Sequence, residues 1–286
     1  MIENFRQAAG LGNVFRSAST DVLGETDISQ LEGADKFVAQ KPGLILDLRS
    51  KNEINEQLAQ KWTAEQGIQM TESDSYSATE KRRTAVQITV LSMDFVDKQW
   101  FDSTELQKAA ELQPEELEGL RIEKLNERGL FGLNQLILES GRVGLCKALM
   151  IITRRFEANA DDVILIECLL GKDRTGMLVM LLQSLTEFSD DIIVNDYNAS
   201  DNTSSYFGSE AAATALGERN YGKLDRKLFS GATKEAMVST LDYLRQKYGS
   251  ISPGYLDHIG FNHMWRRRLR CCLKVSHSSA NDRIYW

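Results

Sequence analysis

Proline is scarce, at three positions in 286 residues, and no proline-rich or glycine/serine-rich linker divides the chain. Nothing in the composition therefore marks a second domain. Histidine is equally rare: His258, His263 and His277 lie in or beyond the last helical region, where neither a Cys–His hydrolase pair nor a shared metal site is suggested. The four cysteines, Cys146, Cys168, Cys271 and Cys272, lack the spacing of a zinc site or a disulfide framework, which fits a reducing compartment. No apolar run approaches the roughly 18–20 residues of a membrane span. The N-terminus, with Glu3 and Arg6 and no long apolar run, does not read as a signal peptide. A soluble, cytoplasmic protein is expected. A net charge of −7, from 34 basic and 41 acidic residues, argues against a general nucleic-acid binder and against adhesion to an acidic membrane surface.

Apolar residues make up 42% of the chain, enough for a substantial core. Strands are predicted around Val14-Phe15, over Gly43 to Arg49, over Val86 to Met93 and over Val163 to Ile166. Helices are predicted over about Asp27 to Ala39, within 103–157 (Leu130 to Leu138, Val143 to Phe156), and over Thr233 to Tyr248 and Tyr255 to Leu273. Residues 51–82 are polar throughout and read as an exposed excursion. The expected fold is a single α/β domain over residues 1–274, with a central, mainly parallel sheet flanked by helices. Residues 275–286 read as a loose tail.

The most informative stretch is Ile164-Leu165-Ile166-Glu167-Cys168-Leu169-Leu170-Gly171-Lys172-Asp173-Arg174-Thr175-Gly176, an apolar strand, a tight loop and the start of a helix expected at Thr175. Cys168 and Arg174 stand in the pattern C-x5-R. Successive N–H groups in a loop entering a helix N-terminus form a concave anion site, to which the helix dipole adds positive potential. Arg174 can present a planar fork to two phosphate oxygens. The same positive field favours the ionised form of a thiol held there, so the nucleophile would be ready at neutral pH.

With Cys168 ahead of Gly171-Lys172-Asp173-Arg174-Thr175-Gly176, the loop resembles the signature of the cysteine-dependent tyrosine phosphatases, and most closely the atypical branch known as tyrosine phosphatase family 3. Asn4-Phe5-Arg6, Val14-Phe15-Arg16-Ser17-Ala18, Leu46-Asp47-Leu48-Arg49-Ser50 with Glu53, Asp196-Tyr197 with Ser200, and Tyr248-Gly249-Ser250 with Tyr255-Leu256 and Gly260 resemble its other motifs in the same order. The resemblance implies a cysteine-phosphatase-like fold and hydrolysis of phosphomonoesters through a cysteinyl-phosphate, with no metal and no cofactor. It implies Cys168 as nucleophile, Arg174 and the loop residues Leu169, Leu170, Gly171, Lys172, Asp173 and Thr175 as phosphate binders, and Asp173 as candidate general acid. An orienting role for Asp173 is the alternative of equal weight. Asp94 and Asp97 are weaker candidates for the acid, since no Trp-Pro-Asp is present.

The implied substrate is a phosphotyrosine protein, with phosphoserine or phosphothreonine as a dual-specificity extension. A phosphoinositide is the alternative, because a loop lysine would reward extra phosphates. No obligate partner is evident. One departure stands out: Glu167 occupies the position where the branch usually has histidine. If its carboxylate lay near the sulfur it would disfavour the thiolate and leave a pseudophosphatase that binds phosphate without turnover. If strand alternation turned it away, activity would survive. Arg6 and Arg16 are read first as ion-pair partners and second as lining the phosphate site. Asp47 and Arg49 are read as pinning the strand end.

Overall fold

The computed structural model describes residues 4–19, 43–49, 69–72, 87–90, 112–201 and 225–275. The expected helix over Asp27 to Ala39, the candidate acids Asp94 and Asp97, and all of the expected 275–286 tail but its first residue lie outside these residues; Val275 itself forms an antiparallel bridge with Leu11. Six strands form one sheet: β1 (Arg6–Gln7), β2 (Val14–Ala18), β3 (Leu44–Asp47), β4 (Gln69–Glu72), β5 (Gln87–Val90) and β6 (Ile164–Cys168), in the order β1-β2-β6-β3-β5-β4. Only β1 runs antiparallel to its neighbour.

The inner strands β3 and β6 are short, largely aliphatic runs because both of their faces are covered. Val14, Leu44, Leu46, Ile164 and Ile166 on one face, and Phe15, Ile45 and Leu165 on the other, are all buried. Among the described residues the α-helices are α1 (Pro114–Ser140) and α2 (Arg142–Ala158) between β5 and β6, and after β6 α3 (Asp173–Leu185), α4 (Asp190–Asn198), α5 (Arg226–Phe229), α6 (Lys234–Tyr248), α7 (Leu256–His258) and α8 (His263–Cys272). Leu149, Ile152 and Phe156 of α2 and Met177, Leu178, Leu181 and Leu182 of α3 share one core with the first sheet face. Cys146 sits in the same core, and burial pushes its thiol up. Among the described residues no helix is long and apolar enough to cross a membrane.

Two expectations are corrected. Gln69–Glu72, within the stretch read as an exposed excursion, is a strand at the outer edge of the sheet. A four-residue polar edge strand carries no aliphatic run, so periodicity gives no signal for it. The single helix expected over Tyr255 to Leu273 is broken. Ile251–Tyr255 forms a π-type turn leading into α7, Gly260 takes φ +92°, and Asn262 caps a new helix by accepting bonds from the N–H groups of Met264 and Trp265. A positive φ is open to glycine and closed to a continuing helix. By contrast α6 starts where the sequence places it, with the Thr233 side chain accepting from the Ala236 N–H.

A buried carboxylate ties α1 to α6. Glu139 of α1 is 2% exposed, and its Oε1 accepts bonds from Tyr243 Oη at 2.6 Å, Tyr248 Oη at 2.7 Å and Lys247 Nζ at 2.8 Å, all on α6. Burial alone would raise this carboxyl, but the bonds from Lys247, Tyr243 and Tyr248 outweigh it and hold the group below its ordinary value. The stability it contributes is therefore complete above about pH 4.3, the ordinary glutamate value, and fades as the pH falls through the lowered one. Glu139→Gln should cost about 1.5–3 kcal/mol near neutral pH, measured by urea unfolding, with the gap to wild type closing below about pH 4. A gap unchanged with pH would contradict this.

Candidate active site

The site forms at the carboxyl end of β6, inside the parallel part of the sheet. The chain passes from β2 to β3 by crossing β6, so β6 lies between them, and crevices at the carboxyl ends of strands form at such crossings. Cys168 is the last residue of β6, flush with Ala18 of β2, and is 2% exposed. The chain then turns through Leu169 to Lys172 into α3, which starts at Asp173, two residues earlier than the sequence suggested. The first helical bond runs from the Gly176 N–H to the Lys172 carbonyl, 2.7 Å. The N–H groups of the preceding residues thus have no partner within the helix.

Gly171 makes the turn feasible. Its φ is +63°, and a Cβ there would stand 2.1 Å from the Ser17 carbonyl carbon and oxygen. The loop is packed backbone to backbone against β2. Leu169 and Leu170 are buried. Thr175 is fully buried in the first turn of α3, and its hydroxyl has no hydrogen-bond partner among the described residues.

Arg174 lies with its side chain toward the end of β3, Nη1 donating to the Leu48 carbonyl at 3.0 Å. This bond sets the fork beside the loop. Lys172 behaves differently from the expected phosphate contact: its side chain is fully buried, and Nζ donates to the carbonyls of Phe229 (2.5 Å) and Gly231 (2.8 Å). Its backbone stays in the loop while its ammonium anchors the segment that follows α5. Asp173 lies 3.5 Å from that ammonium and is close enough to Tyr197 that, after burial, its negative charge is the next largest influence raising the Tyr197 phenol. Tyr197 packs on α3 at Gly176, where a Cβ would meet its ring at 2.9 Å.

Glu167 is turned away from the thiol. It is in register with Ser17 on β2 and Asp47 on β3, and since neighbouring residues of a strand face opposite sides, its carboxylate lies across the sheet from Cys168. Asp47 on that side is held by Arg49, whose Nε and Nη2 donate to it at 3.0 and 2.6 Å. The reading of Asp47 and Arg49 as a pin at the strand end matches this geometry.

Arg6 and Arg16 converge on Asp196 of α4. Arg16 is fully buried, with Nη1 2.6 Å from Asp196 Oδ2 and Nη2 2.9 Å from the Gly171 carbonyl. Arg6 donates to the Asp196 carbonyl at 2.6 Å and to Ser200 Oγ at 2.9 Å. Burial and then the neighbouring Arg16 cation push Arg6 down to about 10, against the opposing pull of Asp196. It stays charged at neutral pH. Both arginines are thus ion-pair partners, yet one of them also touches the loop. Sequence motifs flagged Arg16, Asp196 and Ser200, but separations of about 180 residues hide their convergence. Among the described residues no group of three or more histidine, cysteine or carboxylate side chains could hold a metal.

A strand end carrying a buried cysteine, a loop packed against β2, a helix N-terminus and a neighbouring arginine are thus brought together at the carboxyl end of β6. A model described as the tyrosine phosphatase family matches residues 3–274. No curated protein matches the chain. Among solved structures, the core catalytic domain of the PP-IP phosphatase SIW14 from S. cerevisiae, in complex with citrate, is similar at 16% identity. The match covers 88% of this chain and 96% of that one, with a TM-score of 0.33.

The loop geometry generates one prediction that needs no assay of activity. Gly171→Ala should destabilise the fold by at least about 1–3 kcal/mol, the cost of a strained left-handed backbone, with further loss from the clash at Ser17. Urea denaturation showing wild-type stability would contradict the contact between loop and β2.

Proposed function

The chain belongs to the tyrosine phosphatase family, and on that premise we propose that it hydrolyses phosphomonoesters through a covalent cysteinyl-phosphate. The observation that carries the reading is the C-x5-R loop set between the end of β6 and the start of α3. Cys168 Sγ attacks phosphorus, the ester oxygen departs with a proton from an acid, and water then attacks the thiophosphate bond to release phosphate and restore the thiolate. Loop N–H groups from Leu169 to Thr175 and the Arg174 fork hold the equatorial oxygens through both steps, where fixed donors are worth several kcal/mol. No metal takes part.

Phosphotyrosine in a protein is the substrate this reading favours, with phosphoserine and phosphothreonine as extensions. The burial of the Lys172 ammonium against Phe229 and Gly231 removes the extra cation that motivated a phosphoinositide, so the lipid reading is the weaker one. The pseudophosphatase alternative rests on Glu167, and the register that sets Glu167 beside Ser17 and Asp47 speaks for retained turnover. The expected cytoplasmic location and the absence of an obligate partner remain part of the same proposal.

Two measurements test it. Wild type should hydrolyse p-nitrophenyl phosphate with chelator present, and Cys168→Ser should not; a folded wild type without turnover would favour the pseudophosphatase. Asp173 is the proposed acid, with orientation of the loop amides or of Arg174 as its competing role. If it is the acid, Asp173→Asn should lower kcat on a phosphotyrosine peptide by about 10²-fold or more. It should lower kcat much less on p-nitrophenyl phosphate, whose leaving group needs no proton. Equal losses on both substrates would assign Asp173 to orientation alone.

A further inference from the structure

We propose that Asn4 and Arg16 are positioning residues of the phosphate loop, holding its peptide planes so that their N–H groups face the anion. The inference rests on the phosphatase reading of the loop and deepens it. Asn4 Nδ2 donates to the carbonyls of Leu170 (3.0 Å) and Gly171 (2.8 Å). Arg16 Nη2 donates to the Gly171 carbonyl at 2.9 Å and lies 3.4 Å from that of Lys172. Three consecutive loop carbonyls are therefore engaged from the N-terminal segment.

In a trans peptide the C=O and the following N–H point in opposite directions. Fixing the carbonyls of residues 170, 171 and 172 toward Asn4 and Arg16 turns the N–H groups of Gly171, Lys172 and Asp173 the other way. A single flipped peptide would instead aim a carbonyl oxygen at the anion, exchanging a donor for a repulsive dipole. The clamp is itself held. Asp196 takes one nitrogen of Arg16 and accepts from the Ala9 N–H at 3.2 Å. Arg6 joins the Asp196 carbonyl and Ser200 to the Asn4 side-chain oxygen. Asn4, Arg6, Asp196 and Arg16 thus close a ring behind the loop, and Arg16 is paired with Asp196 at 2.6 Å, a carboxylate that Arg6 shares at 3.6 Å. The contribution of Arg16 is orientation more than charge.

Asn4 is the member to change, because replacing a buried arginine or Asp196 would strand its partner's charge. Asn4 has φ +59°, which glycine adopts freely, so Asn4→Gly removes the donor and keeps the backbone. Asn4→Asp keeps an acceptor for Arg6 and puts a carboxylate oxygen against two carbonyls. The probes are tungstate binding by calorimetry, an unreactive tetrahedral oxyanion, and the alkylation rate of Cys168 by iodoacetamide at pH 6.5, read by peptide mass spectrometry.

In the full chain, Asn4→Gly should weaken tungstate binding about tenfold, the equivalent of one or two ordinary hydrogen bonds. It should slow alkylation of Cys168 several-fold and keep the melting temperature within a few degrees of wild type. Asn4→Asp should lose more on both probes. Wild-type binding and alkylation in Asn4→Gly would overturn the clamp, as would unfolding of both variants at 25 °C, which would assign Asn4 to folding alone. A wild type that binds no tungstate would overturn the phosphate site itself, and the alkylation ratio would still decide whether the clamp acts on the loop.

Discussion

A guanidinium taken fully out of water needs a counter-charge and hydrogen-bond acceptors inside the protein, and Arg16 finds them in a way that ties β2, the loop after β6 and α4 together. Arg16 divides its fork between the Asp196 carboxylate and the loop carbonyls, so the loop cannot shift without leaving a buried cation short of partners, a cost of several kcal/mol. Arg6 and Asn4 extend the same bonding outward. The loop's shape is therefore tied to a strand laid down some 150 positions earlier. The packing of Gly171 against Ser17 is the steric half of the same arrangement.

This explains how a polar loop can sit at the end of a central strand in an otherwise apolar core. Ile164, Ile166 and Cys168 share one sheet face with the helices, while Glu167 shares the other with Ser17 and Asp47. Alternation separates the carboxylate from the thiol without any special device. The charges near the loop are largely spoken for: Lys172 by carbonyls of 229 and 231, Arg16 by Asp196, Asp47 by Arg49. Arg174 donates to the Leu48 carbonyl at the end of β3, beside the loop that we propose holds the phosphate.

Much of this is legible in the sequence, for reasons that differ from element to element. The C-x5-R spacing, the aliphatic run before it and the glycine inside it specify strand, loop and helix locally, and local patterns are what periodicity reads. The burial of Cys146 and the Thr233 cap follow the same logic. Strand β4 escaped because an edge strand can be polar. The break at Gly260 and Asn262 escaped because the apolar spacing continues across it. The direction of the Lys172 side chain and the partners of Arg16 are tertiary facts, fixed by residues 57 and 180 positions away, and motif order hinted at them without giving a contact.

The central claim is that Cys168 is the atom that takes the phosphoryl group. Rapid acid quenching during turnover, followed by mass spectrometry of the peptides, examines it directly. The account predicts a phosphoryl adduct on the peptide containing Cys168, forming before product and decaying as phosphate is released. Turnover with no adduct at any time, or with the phosphoryl group on another residue, would contradict it.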